Sequence, residues 1–102
     1  MVEVQVIARF VALEGKEVQL RALLQSMLAP TRAESGCELY ELYESDSWGR
    51  FFFYETWASQ AALDQHMATP HFERLKKTGG ELVREPFEVN IVKRILPGAA
   101  AA

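Results

Sequence analysis

The feature of this sequence that most restricts its fold is the way its hydrophobic period changes along the chain, from two to about 3.6 and back, twice over. From Val2 to Val11 the even positions Val2, Val4, Val6, Ala8 and Phe10 are all apolar, with Glu3, Gln5 and Arg9 between them, which predicts a strand. After Glu14-Gly15, Leu20, Leu23, Leu24, Met27 and Leu28 recur at i, i+3, i+4, i+7 and i+8, opposite Glu17, Arg21 and Gln25. That spacing predicts a helix with one buried stripe. Pro30 interrupts it or opens a fresh turn, and Gly36 is placed to end the excursion as a left-handed cap.

Two strand-like runs follow, Glu38 to Ser45 and Arg50 to Trp57, and Asp46-Ser47-Trp48-Gly49 between them predicts an antiparallel hairpin. Ser59 is expected to cap a second helix in which Leu63, His66, Met67 and Pro70 share a face. A helical piece should restart at Thr69-Pro70, anchored by Phe72 and Leu75, and end at Gly79-Gly80. Phe87 to Ile95, with Phe87, Val89 and Ile91 alternating against Glu88, Asn90 and Val92, predicts the last strand.

The resulting order of strand, helix, strand, strand, helix, strand is the split βαβ, or ferredoxin-like, arrangement: an α+β domain whose four-stranded antiparallel sheet carries both helices on one face. At 102 residues there is room for one core and not two. The domain is expected to span residues 1–95 and to leave 96–102, Leu96-Pro97-Gly98 and four alanines, as a flexible tail. Because the strands carry apolar residues on both parities, the second sheet face also needs a cover, and a homodimer would supply it.

Several function classes are disfavoured. Eleven basic residues against fourteen acidic ones, for a formal charge of −3, leave no basic stripe to follow a phosphate backbone, so nucleic acid is not an expected partner. No apolar run approaches the ~20 residues of a membrane span. The start Met1-Val2-Glu3-Val4 is unlike a signal peptide, so the expected location is the cytoplasm. The lone Cys37 agrees with a reducing compartment. Phosphate loops, nucleophile elbows, paired cysteines and zinc-protease motifs are all missing from the sequence.

Two places could carry chemistry. His66 sits on an apolar helical stripe, where it could accept a proton from a bound molecule or be a core imidazole satisfied by a backbone carbonyl. In the run Phe51-Phe52-Phe53-Tyr54-Glu55-Thr56-Trp57, alternation puts Glu55 on one face between Phe53 and Trp57. A carboxylate among apolar rings is costly unless paired or protonated. Glu55 could orient His66, act as a base itself, or pair with an arginine such as Arg9. His66 and His71, five residues apart, would point roughly 140° apart on one continuous helix, so no metal site is expected from them.

Two stretches then carry a resemblance. Thr31-Arg32-Ala33-Glu34-Ser35-Gly36-Cys37 leading into Tyr40-Glu41-Leu42, and Tyr54-Glu55-Thr56-Trp57 continuing through Ala62-Leu63-Asp64-Gln65-His66 to Thr69-Pro70-His71-Phe72, resemble the hallmark segments of antibiotic biosynthesis monooxygenase domains, and the spacing fits over residues 1–95. The resemblance implies a homodimer of ferredoxin-like protomers, a dimeric α/β barrel, with a pocket between sheet and helices in each. It implies a cofactor-independent monooxygenase that oxidises a small quinol or polyphenol-like aromatic with molecular oxygen and holds no metal. His66 and Glu55 would then be the catalytic residues, and Phe53, Trp57, Met67, His71 and Phe72 the substrate-binding ones. The haem-degrading branch is disfavoured because residues 1–11 contain no Asn. The alternatives are a proton-shuttling isomerase of a phosphorylated sugar, with Arg32 as the phosphate candidate, and a non-catalytic metabolite-binding dimer.

Overall fold

The computed structural model describes residues 2–98, so of the expected tail residues 99–102 lie outside the described residues. The elements in order are β1 (Val4–Val11), α1 (Glu17–Ser26), α2 (Leu28–Arg32), β2 (Cys37–Glu44), β3 (Arg50–Trp57), α3 (Gln60–Met67), α4 (Pro70–Leu82) and β4 (Glu88–Val92). All strand pairings are antiparallel and the sheet order is β2-β3-β1-β4. This is the α+β ferredoxin-like split βαβ with a four-stranded antiparallel sheet that the periodicity predicts.

The sheet is not closed into a barrel. β2 and β4 are its two open edges and do not pair with each other, so the expectation of an α/β barrel is overturned. The physical reason is strand count and connectivity: four strands leave two edges unless another strand is hydrogen-bonded between them.

Alternation decides what is inside. Val6, Ala8 and Phe10 of β1 and Phe51, Phe53, Glu55 and Trp57 of β3 are buried against the helices, with Tyr40 of β2 beside them. Leu20 and Leu24 of α1, Leu63 of α3, and Phe72 and Leu75 of α4 complete the same core. On β4 the same side carries Val89 and Ile91, but these stay 39% and 57% exposed, because an edge strand lies beyond the cover of the helices. β4 is also shorter than the predicted Phe87 to Ile95.

Glycines at two places act differently from expectation. Gly36 does not adopt positive φ; among the described residues only Gly15 and Gly49 do. Its role is proximity: a Cβ there would stand 2.3 Å from Cβ of Ala62, so glycine lets α3 settle against the turn before β2. Gly79-Gly80 does not end a helix either. α4 runs through both to Leu82, with Gly79 buried beside Leu23 of α1 and Leu75. The predicted caps are present: the Ser59 hydroxyl accepts from the Ala62 N–H and the Thr69 hydroxyl from the Phe72 N–H, each at 3.2 Å, with Pro70 opening α4.

Candidate active site

His66 lies in the last turn of α3, on the stripe that Leu63 buries, and is 2% exposed. Its ring lies 4.5 Å from that of Trp57 and is met edge-on by Phe72 at 5.1 Å and Tyr40 at 5.8 Å. Its Nδ1 is 2.7 Å from Glu34 Oε2. A carboxylate oxygen accepts, so Nδ1 carries the proton and, in the neutral ring, Nε2 keeps its lone pair. Burial holds His66 below the ordinary imidazole range, opposed by the hydrogen bond and charge of Glu34.

The same Glu34 oxygen accepts from His71 Nε2, also at 2.7 Å. The two histidines do not lie on one continuous helix: α3 ends at Met67 and α4 begins at Pro70, and this break turns both rings toward one carboxylate. Glu34, His66 and His71 are therefore the described residues whose donor atoms, all within 4.8 Å of one another, could hold a metal ion. The 2.7 Å separations are those of charge-assisted hydrogen bonds.

Glu55 is 6% exposed and its Oε1 accepts from Trp57 Nε1 at 2.9 Å. Burial, reinforced by the charge of Glu34 and opposed by the Trp57 hydrogen bond, pushes its carboxyl up to about 7. It makes no hydrogen bond to His66 among the described residues. Nor does it pair with Arg9, which instead holds Glu85 and Glu88 at 3.2 and 3.0 Å.

Between sheet and helices is a small cavity walled by Ala8, Phe10, Tyr40, Phe53, Leu63, Met67, Phe72, Leu75, Phe87 and Val89, with Glu55 and His66 as its ionisable members. Glu34, the partner of His66 Nδ1, lies outside it. The cavity volume is about 10 Å³, room for a single water. Of the residues expected to form a pocket wall, Phe53, Met67 and Phe72 line this cavity, while Trp57 and His71 do not; Trp57 backs His66 and Glu55, and His71 backs Glu34. Arg32 is also outside, donating to the Tyr40 carbonyl at 3.0 Å and to Glu41 at 3.3 Å. A wider open trough of about 520 Å³ crosses the opposite face of the sheet past Gln5, Ile7, Leu39, Tyr54, Lys93 and Arg94; it touches Glu55 but reaches neither His66 nor Glu34.

Sequence reasoning missed Glu34 as the partner of His66, and Tyr40 and Phe87 as wall. Glu34 had one signal, its place in the first of the two hallmark segments.

The profile of the family described as antibiotic biosynthesis monooxygenase matches residues 4–78. The chain belongs to that family. A relative named "Putative monooxygenase Rv0793", from Mycobacterium tuberculosis, is 43% identical over 89 residues, covering 87% of this chain and 88% of its own. The solved structure of Rv0793 superposes with a TM-score of 0.87 at 39% identity, covering 96% of this chain and all of that one. The crystal structure of PA3566 from Pseudomonas aeruginosa gives 0.86 at 29% identity, covering 94% and 97%. At the family level the activity is therefore of the monooxygenase, oxidoreductase type. No helix of the described residues is long and apolar enough to cross a membrane.

Proposed function

We propose that this protein is a cofactor-independent monooxygenase that oxidises a small quinol or polyphenol-like aromatic with molecular oxygen, using His66 as its base. One observation carries the reading. A buried imidazole, tied through Nδ1 to a carboxylate and so left with Nε2 as its acceptor, lines a cavity whose only other ionisable wall residue is Glu55. The phenolic O–H proton passes to Nε2, leaving an electron-rich anion; a ring carbon of that anion forms a bond to oxygen, the peroxide takes the proton back, and loss of the C–H proton from that carbon then breaks the O–O bond, the departing hydroxide taking up that proton. One oxygen atom stays on the ring as the carbonyl and the other leaves as water. The apolar wall excludes water from the anion, and Glu55, whose carboxyl titrates near 7, can donate to or accept from the second oxygen of the ring.

A quinol is much larger than one water, so the substrate enters by displacing wall residues. The side that yields is the least buried one, Phe87 on the connection into the edge strand β4 and Val89 within that strand. The isomerase alternative needs a cation to hold phosphate, and no lysine or arginine lines the cavity.

We also propose that the protein is a homodimer. The opposite face of the sheet exposes Leu39, Tyr43 and Tyr54, the two tyrosines meeting edge to face at 5.3 Å, an apolar patch of the kind a second copy covers.

The test of the base is His66→Ala. Turnover of a quinol that the wild type oxidises should fall about a hundredfold or more; unchanged turnover would sink the assignment.

A further inference from the structure

We infer that Glu34 and His71 act as a positioning pair for His66, fixing its ring orientation and tautomer from outside the cavity; this rests on the reading of His66 as the base. Two imidazoles converge on one oxygen, each at 2.7 Å. A glutamate side chain has three rotatable bonds and one donor would leave it free to swing, whereas two donors from different elements hold Oε2 at one point. His71 thus positions a ring that it does not hydrogen-bond, since the two ring centres are 5.9 Å apart.

The surrounding chain is built to keep the three groups together. The turn carrying Glu34 is tied at both ends, by Glu34 N–H to the Thr31 carbonyl at 3.0 Å and Cys37 N–H to the Glu34 carbonyl at 3.1 Å. Gly36 allows the close approach of Ala62, and with it of α3 and His66. Its carbonyl also accepts from Ala58 N–H at 2.9 Å, just before that helix. Thr69 fastens the other side, its hydroxyl donating to the His66 carbonyl at 2.7 Å and accepting from the first turn of α4, where His71 sits. The consequence for chemistry follows the logic of a carboxylate-oriented imidazole: with Nδ1–H committed to Glu34, the remaining nitrogen, Nε2, is a proton acceptor and not a donor.

Long-range proton–nitrogen NMR of the histidine side chains reads this without any substrate. In the wild-type protein His66 should be in the Nδ1–H tautomer. In Glu34→Leu and His71→Phe it should redistribute toward Nε2–H, and in His71→Phe the kcat on a quinol should drop about tenfold or more with KM within twofold. His71→Gln, whose amide can still donate to Glu34, should keep the wild-type tautomer and most of kcat, and it serves if the Phe variant does not fold. A wild-type His66 in the Nε2–H form, or a tautomer indifferent to both substitutions, overturns the inference. If the tautomer responds as expected but His66→Ala still turns over normally, the base reading fails and the positioning stands.

Discussion

Replacing Glu55 by Gln should make the protein more stable at alkaline pH and leave it nearly unchanged in mild acid. In the folded chain this carboxyl loses its proton near 7, where an ordinary one does so near 4.5. Between those values the folded state binds more protons than the unfolded state, so stability falls as pH rises, and the loss is complete above about 7. The gap corresponds to ~3 kcal/mol. Gln is neutral throughout and its carbonyl can still accept from Trp57 Nε1, so the penalty is removed and the hydrogen bond kept. His66 acts in the opposite sense: with its titration held low, it costs stability as pH falls below the ordinary imidazole value. Both proteins share that effect, so it cancels in their difference. Urea unfolding of the two at equal chain concentration should give a difference near zero at pH 4.5 that grows to ~3 kcal/mol in favour of Gln at pH 8.5. A flat difference, or a Gln variant less stable at pH 8.5, would refute the reasoning. The same substitution should lower activity, since a carboxylate kept buried at such a cost is characteristic of a site selected for function and not for stability.

Three further outcomes are expected. Gly36→Ala forces a methyl against Ala62 and should cost roughly 1–3 kcal/mol, read as a lower denaturation midpoint; an unchanged midpoint contradicts the close-approach account. Phe87→Ala removes a ring that stacks on Phe10 at 4.6 Å and closes the cavity. It should raise kcat/KM for bulky quinols relative to small ones, and an unaltered ratio would place the entrance elsewhere. Tyr54→Lys puts a charge on the exposed sheet face and should shift sedimentation from dimer to monomer, whereas a monomeric wild type would dispose of the dimer.

Most of the fold was legible because it is written in local periods. The alternation on β1 and β3 and the leucine stripe of α1 place Phe10, Phe53 and Leu24 in the core without reference to any distant residue. The misreadings are all tertiary. Gly36 and Gly79 looked like helix ends because glycine usually frees the backbone, but here each answers to a neighbour, Ala62 and Leu23. Val89 and Ile91 alternate as an inner strand does, yet no local signal says that β4 is an edge beyond the reach of the helices. The site divides similarly. That His66 and Glu55 point inward follows from their spacing. That Glu34 gathers His66 and His71, respectively 32 and 37 residues away, follows only from the break between α3 and α4 and the packing at Gly36.

The most direct test of the central claim is isotopic. The purified protein, treated with a chelator, is given a small hydroquinone under ¹⁸O₂ and the product is weighed by mass spectrometry. The account predicts a hydroxyquinone carrying one ¹⁸O atom per molecule, one equivalent of oxygen consumed, and formation of that product slowed about a hundredfold or more with His66→Ala. A product free of ¹⁸O, or incorporation that is the same with and without His66, would contradict it.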